Sequence, residues 1–175
     1  MREMVYVVDF KEFTEDLNMA VRNLHEKGAF LTVKAGNNVN TMTIGWGNVG
    51  YQWGKCIFAV MVRKHRYTYD FIEKVDNFTV TIPMDDNLKK EIVFCGTKSG
   101  RDYDKFQECN LELIPAKFVD TPVINAPNVL TYECKIVYKQ EMSPEFLSED
   151  IKASAYPKED YHVIYYGEVE AVYKL

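Results

Sequence analysis

Apolar residues recur every three or four positions near the start of the chain, which is the period of a helix with one buried face. Gly28 follows the last of them, and glycine commonly ends a helix at such a point. The pattern therefore predicts one amphipathic helix that packs against a core and ends before Gly28. Its apolar positions are Phe10, Phe13, Leu17, Val21 and Leu24.

After Gly28 the pattern changes to the shorter spacing of β-strands. Residues 29–34 and 39–46 predict two strands, joined by a turn at Gly36-Asn37-Asn38, whose residues tolerate positive φ. Side chains alternate between two faces along a strand. In the second strand one face is small and hydroxyl-rich, which suits a ligand surface, and the other is apolar: Thr41, Thr43 and Gly45 against Met42, Ile44 and Trp46.

The rest of the chain predicts more strands than helices. Short helices are predicted over residues 88–94 and 103–109, with Asp102 as the N-cap of the second. Residues 142–160 are rich in charge and contain two prolines, which predicts a surface excursion with a little helix rather than a second domain. Apolar runs predict further strands over residues 56–62, 78–82, 111–114, 129–139 and 163–173.

Short strands joined by turns and brief helices predict a mainly β (α+β) fold, in which a closed antiparallel sheet carries peripheral helices. Regular strand–helix alternation and a Gly-x-Gly-x-x-Gly motif are both missing from the sequence, which weighs against a doubly wound nucleotide-binding fold. The length of 175 residues suits a single domain over residues 1–175.

Composition and charge narrow the function classes. A hydrophobic content of 47% predicts a globular protein, and a net charge of −5 weighs against a nucleic-acid binder. No apolar run approaches the ~18 residues of a membrane span, and no apolar signal-peptide core follows Arg2 and Glu3. We therefore expect a cytoplasmic protein with no membrane segment.

The four cysteines do not predict a metal site. None forms a Cys-x-x-Cys pair, and none is spaced with histidines as zinc ligands are. We expect reduced thiols that mostly pack as small apolar side chains. They are Cys56, Cys95, Cys109 and Cys134.

The segment Arg63-Lys64-His65-Arg66-Tyr67-Thr68 carries the clearest candidate chemistry. It follows a buried strand and precedes a predicted helix that begins at Tyr69, with Thr68 as a candidate N-cap. Two guanidinium groups and a hydroxyl at the start of a helix are suited to hold a phosphate. Taken alone, the two arginines could also be solvated charges at a strand–helix junction, with no ligand.

A second candidate segment, Asn40 to Gly47, offers hydroxyls, an amide, an indole and bare backbone. Asparagine is depleted in strands, so we expect the Asn40 amide to pair with the polar edge of a flat heterocycle. Trp46 is either a core residue or a contact of the ring. Together the two segments predict a phosphorylated planar ligand, and flavin mononucleotide (FMN) fits that description.

Six short motifs follow one another along the chain and together span roughly residues 25 to 173. They are Asn40-Thr41-Met42-Thr43, Trp46-Gly47, Trp53-Gly54-Lys55, Val62 to Tyr69, Cys95-Gly96-Thr97-Lys98-Ser99-Gly100-Arg101-Asp102, and His162 to Val169. In type and order these motifs resemble the flavin reductase-like family with the FMN-binding split-barrel fold, in particular its flavoredoxin-like branch.

The resemblance implies an antiparallel split β-barrel and a homodimer that binds FMN near the subunit boundary. It places the phosphate around residues 63–68 and the ring against residues 40–47, with a loop over residues 95–99 closing on the cofactor. A lysine near the flavin N1–C2 edge favours the anionic reduced form. The implied FMN-binding residues are Asn40, Thr41, Met42, Thr43, Gly45, Trp46, Gly47, Arg63, Arg66, Tyr67, Thr68, Cys95, Gly96, Lys98 and Ser99.

One departure from the family pattern concerns the electron donor. Many flavin reductases carry Gly-Asp-His before the last strand, on the nicotinamide side of the site, whereas this chain has Asp160-Tyr161-His162. His162 either satisfies a hydrogen bond at a strand end or lines the ring pocket. Because Tyr161 is larger than aspartate, we expect slow direct oxidation of NAD(P)H and faster reduction by a redox protein partner.

The sequence therefore favours an FMN-binding oxidoreductase that passes a hydride or electrons through bound FMN. No side-chain nucleophile or paired carboxylates can be assigned from spacing, so the flavin would carry the chemistry. Two alternatives stay open at this point. One is a carrier of single electrons between protein partners without NAD(P)H, and the other is a non-catalytic FMN-binding module.

Overall fold

The computed structural model describes residues 8–175, which form nine strands, six α-helices and one short 3-10 helix. In chain order these are α1 Phe10–Glu15, α2 Leu17–Glu26, β1 Ala29–Ala35, β2 Asn38–Ile44, β3 Gly47–Gln52, β4 Lys55–Arg63, α3 Tyr67–Ile72, β5 Asn77–Pro83, α4 Lys89–Thr97, α5 Lys105–Glu108, β6 Glu112–Ile114, β7 Val123–Asn125, β8 Val129–Glu141, the 3-10 helix Pro144–Phe146, α6 Glu149–Ala155 and β9 His162–Lys174.

Seven strands form one antiparallel sheet in the order β2-β1-β5-β8-β9-β4-β3. Its two edge strands, β2 and β3, follow each other in the chain with only Gly45 and Trp46 between them. Because so short a link cannot cross the width of a flat sheet, the sheet must curl until its edges approach. The architecture is the predicted antiparallel split barrel, and the split lies at Gly45 and Trp46.

The barrel interior holds the main core, which is apolar and aromatic. The rings of Phe58 and Tyr132 meet edge to face with centroids 5.1 Å apart, and both residues are fully buried. A smaller apolar cluster around Phe30, Ile92 and Cys95 packs α4 against the outside of the sheet. This packing fixes the position of α4 relative to the end of β2.

The first predicted helix is in fact two helices. Asp9 caps α1 by accepting a hydrogen bond from the backbone N–H of Lys11 at 3.0 Å, and the helical path breaks at Asp16. The break rotates part of the apolar stripe away from the core. Phe13 and Leu24 are buried as predicted, whereas half or more of Phe10 and of Val21 is exposed.

Two predicted helix starts were misplaced. Helix α3 begins at Tyr67, with Arg66 as its N-cap, so the prediction that Thr68 caps this helix is wrong. The N-cap of α5 is Asp104, which accepts from two backbone N–H groups at 3.1 and 3.2 Å, and not Asp102. In both cases several polar residues precede the helix, and spacing alone does not choose among them.

The remaining elements agree in outline with the sequence pattern, with two strands missed. Strand β3 is half exposed and glycine-containing, and β7 has only three residues, so neither gave a clear apolar period. Residues 142–160 form a surface excursion that carries the 3-10 helix and α6, as predicted. No helix in the described part of the chain is long and apolar enough to cross a membrane.

Candidate functional site

A cavity of about 370 Å³ opens at the split between the two edge strands. The end of β2 and the crossing residues line one side, over residues 42–46. Strand β4 contributes Met61 and Arg63, and the turn that follows it contributes His65 and Arg66. Gly96 of α4 and His162 of β9 complete the lining. A volume of this size falls within the usual range of small-molecule sites.

Strand pairing explains why distant residues meet here. In the β4–β9 ladder Arg63 lies directly opposite His162, about a hundred positions away in sequence. Met61 lies two residues before Arg63 and so shares its face of β4. The cavity wall therefore contains residues from the first half of the chain, on β4, next to a residue near its end, on β9. The register of the β4–β9 ladder sets the distance between them.

Many of the residues implied by the resemblance do line this cavity. These predicted residues supply an apolar and aromatic wall, two guanidinium groups and the imidazole of His162. The predicted residues in the lining are Met42, Thr43, Gly45, Trp46, Arg63, Arg66, Gly96 and His162.

Asn40, Thr68 and Thr41 lie outside the lining and hold neighbouring elements together. The Asn40 amide donates to the hydroxyl of Thr68 at 2.8 Å, and both residues are buried between β2 and α3. Asn40 therefore pairs with the protein rather than presenting its amide to the cavity. The Thr41 hydroxyl donates to the carbonyl of Leu31 at 3.2 Å within the β1–β2 ladder.

The other residues outside the lining belong to the helix packing or to the surface. Tyr67 packs its ring edge against Phe71. Gly47 pairs with β4, where an added Cβ would lie 2.9 Å from the carbonyl oxygen of Ala59. The Ser99 hydroxyl accepts from the backbone N–H of Arg101 in a surface turn.

Lys98 is exposed at the end of α4, with its ammonium 5.7 Å from the centre of the Tyr103 ring. It is absent from the residues that line the cavity. The buried cation near the cavity is Lys105, which is 4% exposed. Its ammonium donates to the carbonyl of Thr41 at 2.8 Å and to that of Cys95 at 2.9 Å, so it ties β2 to α4. Burial lowers the pKa of Lys105 to about 8.

Cys95 is fully buried. Burial raises the pKa of Cys95 to about 12, so the thiol stays protonated and is a poor nucleophile. The structure therefore supports the prediction that Cys95 is a core residue. Its backbone carbonyl, held by Lys105, is the polar contact that it makes.

Three residues of the lining were missed from sequence: Ile44, Met61 and His65. Ile44 was predicted to lie on the apolar face of its strand, opposite the face expected to suit a ligand, and in the structure it is buried and also lines the cavity. Met61 could have been predicted, because side chains alternate along a strand and Met61 lies two residues before Arg63 on the same face of β4. His65 gave no signal, because its partner is the Asp160 carboxylate, 2.6 Å from Nδ1 and far away in sequence.

Arg66 is the main anion-binding candidate of the cavity. Its two terminal nitrogens both donate to the carbonyl of Gly96 at 3.0 Å, and the other N–H donors of the guanidinium have no acceptor within residues 8–175. No carboxylate within residues 8–175 forms a salt bridge with Arg66. Burial lowers the pKa of Arg66, and repulsion from Arg63 lowers it further. An anion in the cavity would relieve that repulsion.

Arg63 has a different set of partners. Its guanidinium donates to the carbonyls of Asp160 at 2.7 Å and Ala155 at 2.9 Å, and the carboxylate of Asp160 lies 3.6 Å away. Arg63 therefore anchors the surface excursion to the cavity while it adds positive charge to the wall. Because the Asp160 carboxylate already lies beside Arg63, whereas no carboxylate within residues 8–175 pairs with Arg66, Arg66 is the better candidate to bind an anion.

His162 is 7% exposed and lies beside Trp46, with ring centroids 5.6 Å apart. Its Nδ1 shares a hydrogen bond of 2.7 Å with the hydroxyl of Tyr156. Burial, with a smaller contribution from Arg63, lowers the pKa of His162 to about 4, although the Asp160 carboxylate acts in the opposite direction. The imidazole is therefore neutral at physiological pH.

Tyr161 does not narrow the cavity, so the steric reason for expecting slow NAD(P)H oxidation is wrong. Its ring packs on Tyr156, with centroids 5.0 Å apart, and it is absent from the lining residues.

The lowered pKa of His162 predicts an acid-sensitive contribution to stability. Between about pH 6.5 and 4 the unfolded chain binds a proton at His162 that the folded protein does not, so stability falls as pH falls through this window. We expect the wild type to lose roughly 2 kcal/mol more than His162→Gln between pH 7 and pH 4.5. Urea unfolding at both pH values measures this difference.

The matched control is His25→Gln, which removes an exposed histidine of α2 far from the charged groups around His162. That variant should follow the wild type at both pH values. Arg63, Asp160 and His65 are the charged or titratable groups that face His162, and all three are retained in these variants. Equal acid sensitivity of the wild type and His162→Gln would contradict the assignment of a neutral buried imidazole.

The arrangement has the features that a phosphorylated flat ligand requires. A half-buried guanidinium, that of Arg66, lies at one side of the cavity, and within residues 8–175 it has no carboxylate partner and the lining contains no carboxylate. Met42, Ile44 and the half-exposed Trp46 offer apolar and aromatic surface beside it. The residues present therefore fit an anionic group attached to a planar ring.

Comparison with known proteins places this architecture in a family. A sequence model of the flavin reductase-like domain matches residues 21–174, nearly the whole chain. The chain belongs to the flavin reductase-like family. An uncharacterised protein of Archaeoglobus fulgidus is 28% identical over 128 residues, which cover 73% of this chain and 70% of that protein.

Solved structures similar to this flavin reductase-like chain show the same fold. Flavoredoxin from Methanosarcina acetivorans has a TM-score of 0.66 at 22% identity, over 85% of this chain and 68% of that one. An FMN-binding protein from Thermus thermophilus, solved with bound 1-cyclohex-2-enone, has a TM-score of 0.65 at 19% identity, over 84% and 69%. An NADH:FAD oxidoreductase from Streptomyces globisporus has a TM-score of 0.65 at 17% identity, over 85% and 75%.

Proposed function

We propose that this flavin reductase-like protein is an oxidoreductase that binds FMN in the cavity at the barrel split. The observation that carries the proposal is Arg66, a guanidinium in the cavity wall that is repelled by Arg63 and has no carboxylate partner among the described residues. A phosphate would supply the missing negative charge. FMN-binding proteins among the similar structures support the same choice of cofactor.

The protein's own residues would bind and orient the cofactor. Arg66 would hold the phosphate, and Met42 and Trp46 would provide surface for the ring. His162, neutral at physiological pH, would line the same space as a hydrogen-bonding group. Bound FMN supplies the capacity to accept and release a hydride or single electrons, which none of these side chains has.

The electron donor separates the two main forms of this function. A nicotinamide donor is supported by the NADH:FAD oxidoreductase among the similar structures, and a protein donor by the flavoredoxin. With Tyr161 outside the cavity, its size no longer weighs against a nicotinamide. Both donors therefore remain part of the proposal, and a kinetic measurement decides between them.

The deciding experiment mixes the FMN-loaded protein anaerobically with NADH, NADPH or a reduced iron–sulfur protein and follows the loss of visible flavin absorbance. Reduction by a nicotinamide at the rates of ordinary enzymes, on the order of 10 per second, identifies a reductase. Fast reduction by the protein donor alone identifies a carrier. If none of the three reduces the bound flavin faster than free FMN, the proposal of an oxidoreductase fails.

We further propose that the protein acts as a homodimer, as the family resemblance implies. An exposed aromatic cluster supports this proposal. Trp53 at the β3–β4 turn packs against Tyr138 and Tyr166, while 56% of Trp53 and 44% of Tyr138 remain exposed. Sedimentation at micromolar concentration should give twice the 20.4 kDa of one chain, and a mass near 20.4 kDa would rule the dimer out.

A further inference from the structure

A buried tyrosine–histidine pair lies behind the wall of the cavity. The hydroxyl of Tyr156 and Nδ1 of His162 are 2.7 Å apart, and both residues are at least nine-tenths buried. His162 lines the cavity, whereas Tyr156 stands behind it, just after α6. The histidine therefore turns one ring nitrogen toward the tyrosine and leaves the other for the cavity side.

Neighbouring groups fix the tyrosine in this position. The guanidinium carbon of Arg63 lies 5.0 Å from the centre of the Tyr156 ring, and Arg63 also donates to the carbonyl of Ala155. The ring of Tyr161 packs at a tilt against the same ring, with centroids 5.0 Å apart. Tyr156 is thus clamped by a residue of the cavity wall, so its hydroxyl has little freedom to leave the histidine.

The hydrogen-bond partners of the Tyr156 hydroxyl determine which ring nitrogen of His162 carries the proton. Within residues 8–175, Nδ1 of His162 is the sole hydrogen-bond partner of the Tyr156 hydroxyl. If Nδ1 carried the proton and donated it, the hydroxyl hydrogen would be buried without an acceptor, at a cost of about 1–3 kcal/mol. The hydroxyl therefore donates, Nδ1 accepts, and the proton of the neutral ring resides on Nε2.

The direction of the Nε2–H group follows from the shape of imidazole, because its two N–H directions diverge widely. With Nδ1 directed at Tyr156 behind the wall, Nε2–H points away from it. Nε2 has no hydrogen-bond partner among the described residues, although the ring lines the cavity next to Trp46. One hydrogen-bond donor with a fixed orientation is thus available to a ligand.

We propose that Tyr156 is a positioning residue that fixes His162 as an Nε2–H donor, so that the cavity selects redox substrates with a hydrogen-bond-accepting oxygen, such as a ketone, an aldehyde or a carboxamide. The selection of redox substrates rests on the proposed function, whereas the assignment of the His162 tautomer does not. A substrate without such an oxygen would leave the donor unpaired on binding, and a site built around a donor rejects such ligands.

Long-range ¹H–¹⁵N NMR of the full chain tests the tautomer directly, without added flavin and again with FMN. The wild type should show the His162 pattern of the Nε2–H tautomer, and Tyr156→Phe should show a mixture of both tautomers. The control Tyr161→Phe keeps the stacked ring, removes the neighbouring hydroxyl and should leave the pattern unchanged. An Nδ1–H tautomer in the wild type, or no change in Tyr156→Phe, would overturn the positioning role.

A pair of probes tests the selectivity on the FMN-loaded protein. Benzamide carries an acceptor oxygen, whereas toluene has a similar ring without one. We expect benzamide to shift the Nε2 resonance of His162 in the wild type. Benzamide should bind roughly fivefold more weakly to Tyr156→Phe than to the wild type, whereas toluene should bind both proteins with the same affinity. Equal responses to the two probes refute the selectivity.

The two proposals fail in different ways. If the chain binds no FMN, the proposed function is lost, yet the wild-type tautomer is still measured in the flavin-free sample. If FMN binds and the tautomer is wrong, the cofactor assignment stands and the role of Tyr156 is refuted.

Discussion

Replacing Arg66 by alanine is expected to weaken FMN binding by roughly 10- to 100-fold and to leave riboflavin binding almost unchanged, because one charge-assisted contact to phosphate contributes about 1.5–3 kcal/mol. Riboflavin has the same ring without the phosphate. In the described part of the chain the carbonyl of Gly96 is the one acceptor of the Arg66 guanidinium, so further N–H donors in the cavity wall are available to a phosphate. Fluorescence titration of both ligands measures the difference.

Arg66 is also the N-cap of α3 and donates to the carbonyl of Gly96, so its replacement could damage the site itself. The comparison with riboflavin separates such damage from the loss of a phosphate contact. Structural damage would weaken both ligands by the same factor, and that outcome would reject Arg66 as the phosphate contact. Arg101→Ala is the matched control. Its guanidinium pairs with Asp70 at 2.7 Å and lies over the Tyr67 ring outside the cavity, so FMN affinity should stay within about twofold.

Gly167→Ala is expected to destabilise the fold by about 3 kcal/mol, the upper part of the range for overpacking in a core. Gly167 lies in β9 between β4 and β8. An added Cβ would stand 2.5 Å from Cζ of Phe78 and 2.7 Å from Cβ of Cys134. Both neighbours are fully buried, and the Cys134 Cβ can move only with its backbone. Urea unfolding of the purified variant measures the loss.

Gly50→Ala provides the control, because an added Cβ at this glycine of β3 would have no heavy atom of the described residues within 4 Å, its two chain neighbours apart. Its stability should equal that of the wild type or exceed it slightly, since alanine has less backbone freedom to lose on folding. If Gly167→Ala were as stable as Gly50→Ala, the close packing of β9 against Phe78 would be contradicted.

Strands were predicted correctly where the spacing of apolar residues and the residues typical of turns indicate the same boundaries. The strand pair before and after Gly36 and the long strands β8 and β9 lie where the sequence places them, within two residues at each end. Predictions failed where the signal was local. Two helix starts were shifted because adjacent polar residues compete for the cap, and β3 was missed because its side chains face neither core nor solvent consistently.

The candidate site was only half accessible to sequence reasoning. The arginines, Trp46 and His162 were identified because their residue types are suited to phosphate or ring contact, and the cavity contains them. Asn40 was expected to face a ligand for the same reason. Its amide instead pairs with Thr68, 28 positions away, a partner that only the packing of α3 on β2 reveals.

Long-range pairing explains what remained hidden. The Tyr156–His162 pair depends on Arg63, which lies more than ninety positions before Tyr156 and reaches it through the β4–β9 register. Lys105, rather than the exposed Lys98, is the buried cation beside β2 and α4. Both sets of contacts join residues that lie far apart in the chain, and no local apolar period encodes such contacts.

The most direct test of the central claim is isothermal titration of the purified, flavin-free protein with FMN. The account predicts saturable binding of one FMN per chain, tighter than that of riboflavin by the contribution of the phosphate, with the visible spectrum of a bound flavin. An absence of saturable FMN binding, or equal affinity for FMN and riboflavin, would contradict the assignment of the cavity beside Arg66 as an FMN site.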